Sequence, residues 1–201
     1  MHHTSHISGA HDFLTHAFDL ARTHFVWQNK TVEPELLKKL FDHVKWAPTS
    51  ANCLPLRVCF VQSPAAKEKL LSAIDEGNIE KTKTAPVNAV LAYDEMFYDQ
   101  LPKLFPHADA RSWFAGDVEK AKKVALTNAA LQVGYFIIAA RALGLDCGPM
   151  TGFSPALTDQ LFFAQTPNYK SFVVCNLGYG DASRLYPRLP RLSFEEACQI
   201  V

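Results

Sequence analysis

No part of this chain restricts its fold more than the stretch from Asp117 to Leu143. It opens with the polar "DVEKAKK" and is almost wholly apolar from Ala129 to Ala140. A membrane span takes roughly 20 consecutive apolar residues. This run is shorter, so the pattern predicts a central helix buried on all sides, available also to cross a subunit interface. Such a helix needs walls. "VEPELLKKLFDHVKWAP" places Leu36, Leu37, Leu40, Phe41 and Val44 at helical spacing, with Pro34 in the first turn and Pro48 as the stop. "LRVCFVQ" (56–62), "VNAVLAYD" (87–94) and "KSFVVCNLGYGD" (170–181) read as buried strands, and Ser63 with Pro64 caps a helix over "AAKEKLLSAI". Helices alternating with strands across long crossings predict a mixed α+β layer fold in one domain spanning 1–201. The aromatic, weakly periodic segment 95–117 reads as an irregular loop or lid, and the proline- and arginine-rich tail after Asp181 lies outside the core.

Charge and cysteine usage exclude several functions. Twenty basic residues balance twenty acidic ones and neither sign runs in a block, which argues against nucleic acid or a membrane surface as partner. The five cysteines are scattered and lack paired spacing, as expected of free thiols in a reducing cytosol. The N-terminus "MHHTSHISGAHDFLTH" has no apolar core of a secretory signal, so residues 1–10 are expected to form a frayed end of a cytoplasmic protein. Its five histidines have no cysteine or carboxylate cluster to complete a metal shell.

Chemistry-bearing residues gather in a few places. "LGYGD" lacks the third glycine and following helix of a dinucleotide fingerprint. "ARTH" offers Arg22 and His24, "PTSANC" offers Ser50 and Asn52, and "DCGPMTGF" packs Gly148, Pro149, Thr151 and Gly152 directly behind the long helix. Each alone reads equally as a helix cap or a turn. Arg22 alone also reads as an ion pair with Asp19 or a charge at a helix end, and Cys53 as a spectator thiol.

Taken together, "KWAPTSANC", "LFPHADARSWF", "ALGLDCGPMTGF" and "RLPRLSFEEA" resemble the nitroreductase family of FMN-dependent enzymes. Within it they are most similar to the branch of malonic semialdehyde reductases that act in uracil breakdown and form 3-hydroxypropanoate. The resemblance implies a three-layer fold with a mostly antiparallel central sheet flanked by helices, in an intertwined homodimer with FMN at the subunit interface. It also implies roles. Arg22, His24 and Arg188 would clamp the FMN phosphate, with Val26 where a basic residue is common. Asn78 and Lys81 would meet the pyrimidine edge of the ring, and Ser50 and Asn52 would approach from the partner subunit. Pro149 and Met150 would line the ring face, while the N–H groups of Thr151 and Gly152 would point at flavin N5 and its neighbouring oxygen.

The implied reaction is a ping-pong cycle in which NADPH or NADH gives hydride to the flavin, which passes it to an aldehyde. The substrate carboxylate needs a cation, and Arg111 in "DARSWF" is the candidate, with Asp109 and Asp117 as alternative partners for it. His107 is the one candidate proton donor beside solvent. A nitro- or quinone reductase of the same fold, and a non-catalytic flavin-binding dimer, are the competing readings.

Overall fold

The computed structural model describes residues 13–201; the frayed end expected at 1–10 lies outside them. The sheet contains β1 (Leu56–Val61), β2 (Val87–Asp94), β3 (Asp146–Met150) and β4 (Tyr169–Gly178) in the order β1-β2-β4-β3. All three pairings are antiparallel, with Val58 opposite Leu91, Asn88 opposite Asn176 and Pro149 opposite Cys175. The helices are α1 (Pro34–Val44), α2 (Pro64–Leu71), α3 (Ile79–Thr84), α4 (Leu101–Leu104), α5 (Val118–Ala142), α6 (Pro155–Phe162) and α7 (Phe194–Ala197).

Strand periodicity sorts the core into two layers. Val87, Ala89 and Leu91 of β2 face α1 and α5, where Leu40, Val44, Val133 and Phe136 fill the space. Val90 and Ala92 face the other way, onto Leu70 and Ile74 beside α2 and Phe153 and Phe163 beside α6. A strand covered on both sides is apolar throughout, which is why "VNAVLAYD" was legible as buried. Local signals hold too: the Ser63 hydroxyl accepts from Ala66 N–H with Pro64 in the first turn of α2, and Pro34 opens α1.

Three expectations change. The long helix α5 is not buried on all sides: Ala121, Ala125, Ala129, Val133, Phe136 and Ala140 form its inner face, while Leu126, Leu131 and Tyr135 are each more than two-fifths exposed. The amide side chains of Asn128 and Gln132 are buried among its apolar residues. Arg22 follows the end of a helix but lies outside its last turn. The helical turn there spans Thr15–Asp19, and residues beyond it run extended, with Thr23 bridged to Cys147. The "DCGPM" stretch, read as a turn, is strand β3. Its glycine and proline hid it, and proline is tolerated because β3 is an edge strand.

Segment 95–117 has its own small core. Phe97, Leu101, Ala110 and Phe114 pack onto Cys53 and onto Ala121 and Ala125 of α5. Its foot is a buried junction. The Arg57 guanidinium donates to Asp94 Oδ2 at 2.6 Å, and Asn168 Nδ2 and Met96 N–H both donate to Asp94 Oδ1. The loop before β1 is strained, because Ala51, Asn52 and Leu54 all have positive φ, near 50°, 51° and 40°. Hydrogen bonds hold it: Ser50 N–H donates to Asn128 Oδ1, Leu56 N–H to Gln132 Oε1, and Asn52 Nδ2 to the Leu104 carbonyl. Residues 186–201 lie exposed along the surface.

Candidate functional site

Residues 22–27 lie alongside β3, with His24 N–H donating to the Cys147 carbonyl at 3.1 Å. Gly148 permits this approach, since a Cβ there would stand 2.6 Å from the His24 carbonyl oxygen. Between this segment, β3 and the first turn of α3 opens a cavity of about 410 Å³, lined by Thr23, Val26, Lys81, Gly148 and Pro149 among others. Thr23, Phe25 and Tyr186 also line a second cleft of about 380 Å³ that contains Arg22, Arg188 and Arg191. The Phe25 and Tyr186 rings stack at 5.3 Å between them.

The arginines of the second cleft hook the two chain ends together. Arg22 Nη2 donates to the Tyr186 carbonyl at 2.5 Å, and Arg188 Nη2 to the carbonyls of Asp19 and Ala21. Among the described residues neither guanidinium pairs with a carboxylate, so the Arg22–Asp19 ion pair is not formed. Two cations satisfied only by carbonyls keep their charge available for an anion. His24 is buried, with Nε2 3.4 Å from Asp146 Oδ1, its ring against Gly180 and Nδ1 without a partner among the described residues.

At the other end, Asn78 Nδ2 donates to the Gly152 carbonyl at 2.8 Å, and Asp75 N–H donates to the same oxygen. A Cβ at Gly152 would lie 2.2 Å from Asn78 Nδ2, so this position must be glycine for the contact to form. The N–H groups of Thr151 and Gly152 donate to no acceptor among the described residues. The half-buried Lys81 has no carboxylate partner there either. Met150 turns its sulfur toward Thr82 Oγ1 at 3.7 Å.

The structure therefore brings Arg22, His24, Lys81, Pro149 and Arg188 to one pair of adjoining cavities, with Asn78, Met150, Thr151 and Gly152 at their edge. It does not bring Ser50, Asn52 or Arg111 there. Ser50 and Asn52 are pinned to α5 and α4. Arg111 pairs with Asp99 at 2.9 Å through Nε, not with Asp109 or Asp117. Cys53 is no nucleophile: burial pushes its thiol up to about 11. Sequence reasoning singled out Gly148 but not its contact with His24, more than 120 residues away, and missed Trp27, whose indole N–H donates to the Lys81 carbonyl.

This donor set fits FMN. The carboxylate-free arginines suit its phosphate, the glycines let backbone approach a flat ring, and the unused N–H groups and Lys81 suit a ring edge rich in acceptors. A larger cleft of about 630 Å³ lies along residues 27–33. It fits less well, because Lys67 is committed to the Lys83 and Ala85 carbonyls and Lys30 lies over the Tyr179 ring. No cluster that could hold a metal ion occurs among the described residues.

Comparison with known proteins finds relatives of nearly the whole chain. Residues 27–179 match the model of the Nitroreductase family. A Ralstonia nicotianae protein, named "putative NADH dehydrogenase/NAD(P)H nitroreductase", is 54% identical over 188 residues, covering 94% of this chain and 96% of its own. An Exiguobacterium sibiricum "putative nitroreductase" solved with FMN superposes with a TM-score of 0.86 at 18% identity, over 94% of this chain and 97% of that one. A nitroreductase family protein from Streptococcus pneumoniae gives 0.79 at 18% identity, over 94% and 98%.

Proposed function

The chain belongs to the nitroreductase family, and from that premise we propose that it is an FMN-dependent NAD(P)H oxidoreductase that reduces malonic semialdehyde to 3-hydroxypropanoate. The observation that carries the flavin reading is the pair of adjoining cavities with carboxylate-free arginines at one end and Lys81 with unused N–H groups at the other. When bound, FMN supplies a two-electron relay between nicotinamide and acceptor. Arg22 and Arg188 hold the phosphate, and the buried His24 forms the wall beside them. Lys81 stabilises negative charge on the pyrimidine edge. Thr151 and Gly152 donate their N–H groups to the reacting edge of the ring, kept in place by the Asn78 bond to Gly152, with Pro149 and Met150 along the ring face.

Ser50 and Asn52 complete the site from a second copy. A homodimer is supported by the exposed stripe Leu131 and Tyr135 on α5 and by the exposed tail. The same dimer delivers Arg111. Only its Nε is bonded to Asp99, leaving both terminal nitrogens for a bidentate carboxylate. Five free thiols support a cytoplasmic location. A broad nitro- or quinone reductase is the second reading, favoured by the name of the Ralstonia relative.

Arg22→Ala is expected to weaken FMN binding about 30-fold or more, the loss of one charge-assisted contact of roughly 2 kcal/mol. Titration of flavin fluorescence measures it, and an unchanged Kd would remove Arg22 from the clamp. For the substrate, turnover of FMN-loaded protein on malonic semialdehyde is compared with nitroaromatics and quinones, with each nicotinamide. Arg111→Ala is expected to lower kcat/KM for the semialdehyde about 30-fold or more while sparing an uncharged quinone. An equal fall on both sinks the carboxylate role, and failure of NADPH to bleach the flavin anaerobically sinks both enzyme readings.

A further inference from the structure

Helix α3 carries Lys81 but has almost nothing apolar to hold it, since Thr82 is its one buried residue. Six residues form less than two turns, and the last four carbonyls of a helix have no partner within it. The side chains of Trp27, Lys67, Asn88 and Asn176 cover three of those carbonyls here. Trp27 Nε1 and Asn176 Nδ2 both donate to the Lys81 carbonyl, at 3.0 and 3.2 Å. Asn88 Nδ2 donates to the Thr82 carbonyl at 2.9 Å, and Lys67 Nζ to the Lys83 carbonyl at 3.3 Å.

Two of these donors stand where a sheet core would ordinarily hold valine or leucine. Asn88 and Asn176 face each other across β2 and β4, fully buried, joined by a 2.8 Å bond from Asn88 Nδ2 to Asn176 Oδ1. Asn88 Oδ1 has no partner among the described residues. Buried amides that are incompletely satisfied destabilise a fold, and each amide of this pair gives one hydrogen to the same short helix. With no apolar stripe to set its rotation, that helix takes its orientation from these bonds, and the doubly bonded Lys81 peptide fixes where the Lys81 side chain leaves the backbone.

We propose that Trp27, Asn88 and Asn176 are positioning residues that hold the Lys81 ammonium against the pyrimidine edge of the flavin, so that the site binds reduced FMN more tightly than oxidised FMN. The proposal rests on the reading that Lys81 meets the cofactor. A cation held in place favours the anionic reduced ring over the neutral oxidised one, whereas a cation free to swing into water is screened.

The test measures the Kd for oxidised FMN together with the two-electron midpoint potential of the bound cofactor, which gives the ratio of affinities for the two redox states. Trp27→Phe keeps the ring and removes the donor. It is expected to lower the preference for reduced FMN about tenfold, a potential about 30 mV more negative. Asn176→Ser is expected to act in the same direction, and if it does not fold, Trp27→Phe alone decides. In a Lys81→Met background Trp27→Phe should add nothing, since its effect passes through the lysine. A purely structural role would lower Tm or weaken both redox states equally and leave the ratio unmoved. That result, or an additive shift in the double variant, overturns the positioning role. If Lys81→Met alone leaves the ratio unchanged, the reading of Lys81 itself is wrong.

Discussion

Gly148→Ala is expected to purify colourless, with an FMN Kd raised about 100-fold or more and a Tm lowered by about 2–12 °C. The added methyl would meet the His24 carbonyl oxygen at 2.6 Å and the Trp27 ring at 3.4 Å. A flexible side chain could step aside, but this oxygen belongs to backbone tied down by the His24–Cys147 hydrogen bond and the Thr23–Cys147 bridge. Relief requires the whole segment 22–27 to lift from β3, which moves Arg22 and loosens Trp27 from Lys81 together. Overpacking costs roughly 1–3 kcal/mol, and for a domain of this size each kcal/mol shifts Tm by about 2–4 °C. Gly116→Ala, which meets nothing within 4 Å, serves as the control. The ratio of flavin to protein absorbance and a thermal melt read the outcome, and a yellow Gly148→Ala protein with unaltered Kd would show that the cavity floor tolerates a side chain.

Asp94→Ala should be the most destabilising single change at a charged position. Its carboxylate is about 6% exposed and carries three partners: the Arg57 guanidinium, the Asn168 amide and the Met96 N–H. Removing one member of a buried pair typically costs 3–5 kcal/mol. Arg57 keeps about 23% exposure, so the lower end applies, a Tm loss of about 6–12 °C. Asp94→Asn should lose less, since a neutral oxygen still accepts from Met96. Because this junction anchors the foot of segment 95–117, protease susceptibility within that segment should rise before global unfolding does. A melt within 2 °C of the parent would mean that solvent already screens the pair.

These two sites mark the limit of what the chain discloses without its fold. Elements with a local cause were legible: the Ser63 cap of α2, Pro34 at the start of α1, and the uniform apolarity of β2, covered on both faces. The strand β3 was not, because glycine and proline normally interrupt strands and only its edge position makes them acceptable. Arg22, Arg188 and Lys81 could be named from resemblance, but their lack of carboxylate partners could not. The cage on α3 left no trace either, as Asn88 and Asn176 look like accidents inside apolar runs until the register sets them face to face. The helix α5 was read as buried on all sides, with a subunit interface allowed for, because apolar composition alone does not distinguish a core face from an exposed one.

The hooks made by Arg22 and Arg188 have a bearing on biosynthesis. Their bonds join positions 164 to 169 residues apart. At a synthesis rate of about 5–20 residues per second, the second half of each hook emerges roughly 8–33 s after the first. For most of that interval only β1 and β2 can pair, because β4 (Tyr169–Gly178) emerges just before Tyr186 and Arg188, and the cleft at Arg22 lacks its second wall. If these arginines hold the cofactor phosphate as proposed, flavin is expected to bind only after Arg188 has emerged, and a nick in the exposed tail just before Arg188 is expected to weaken its retention in an otherwise folded protein.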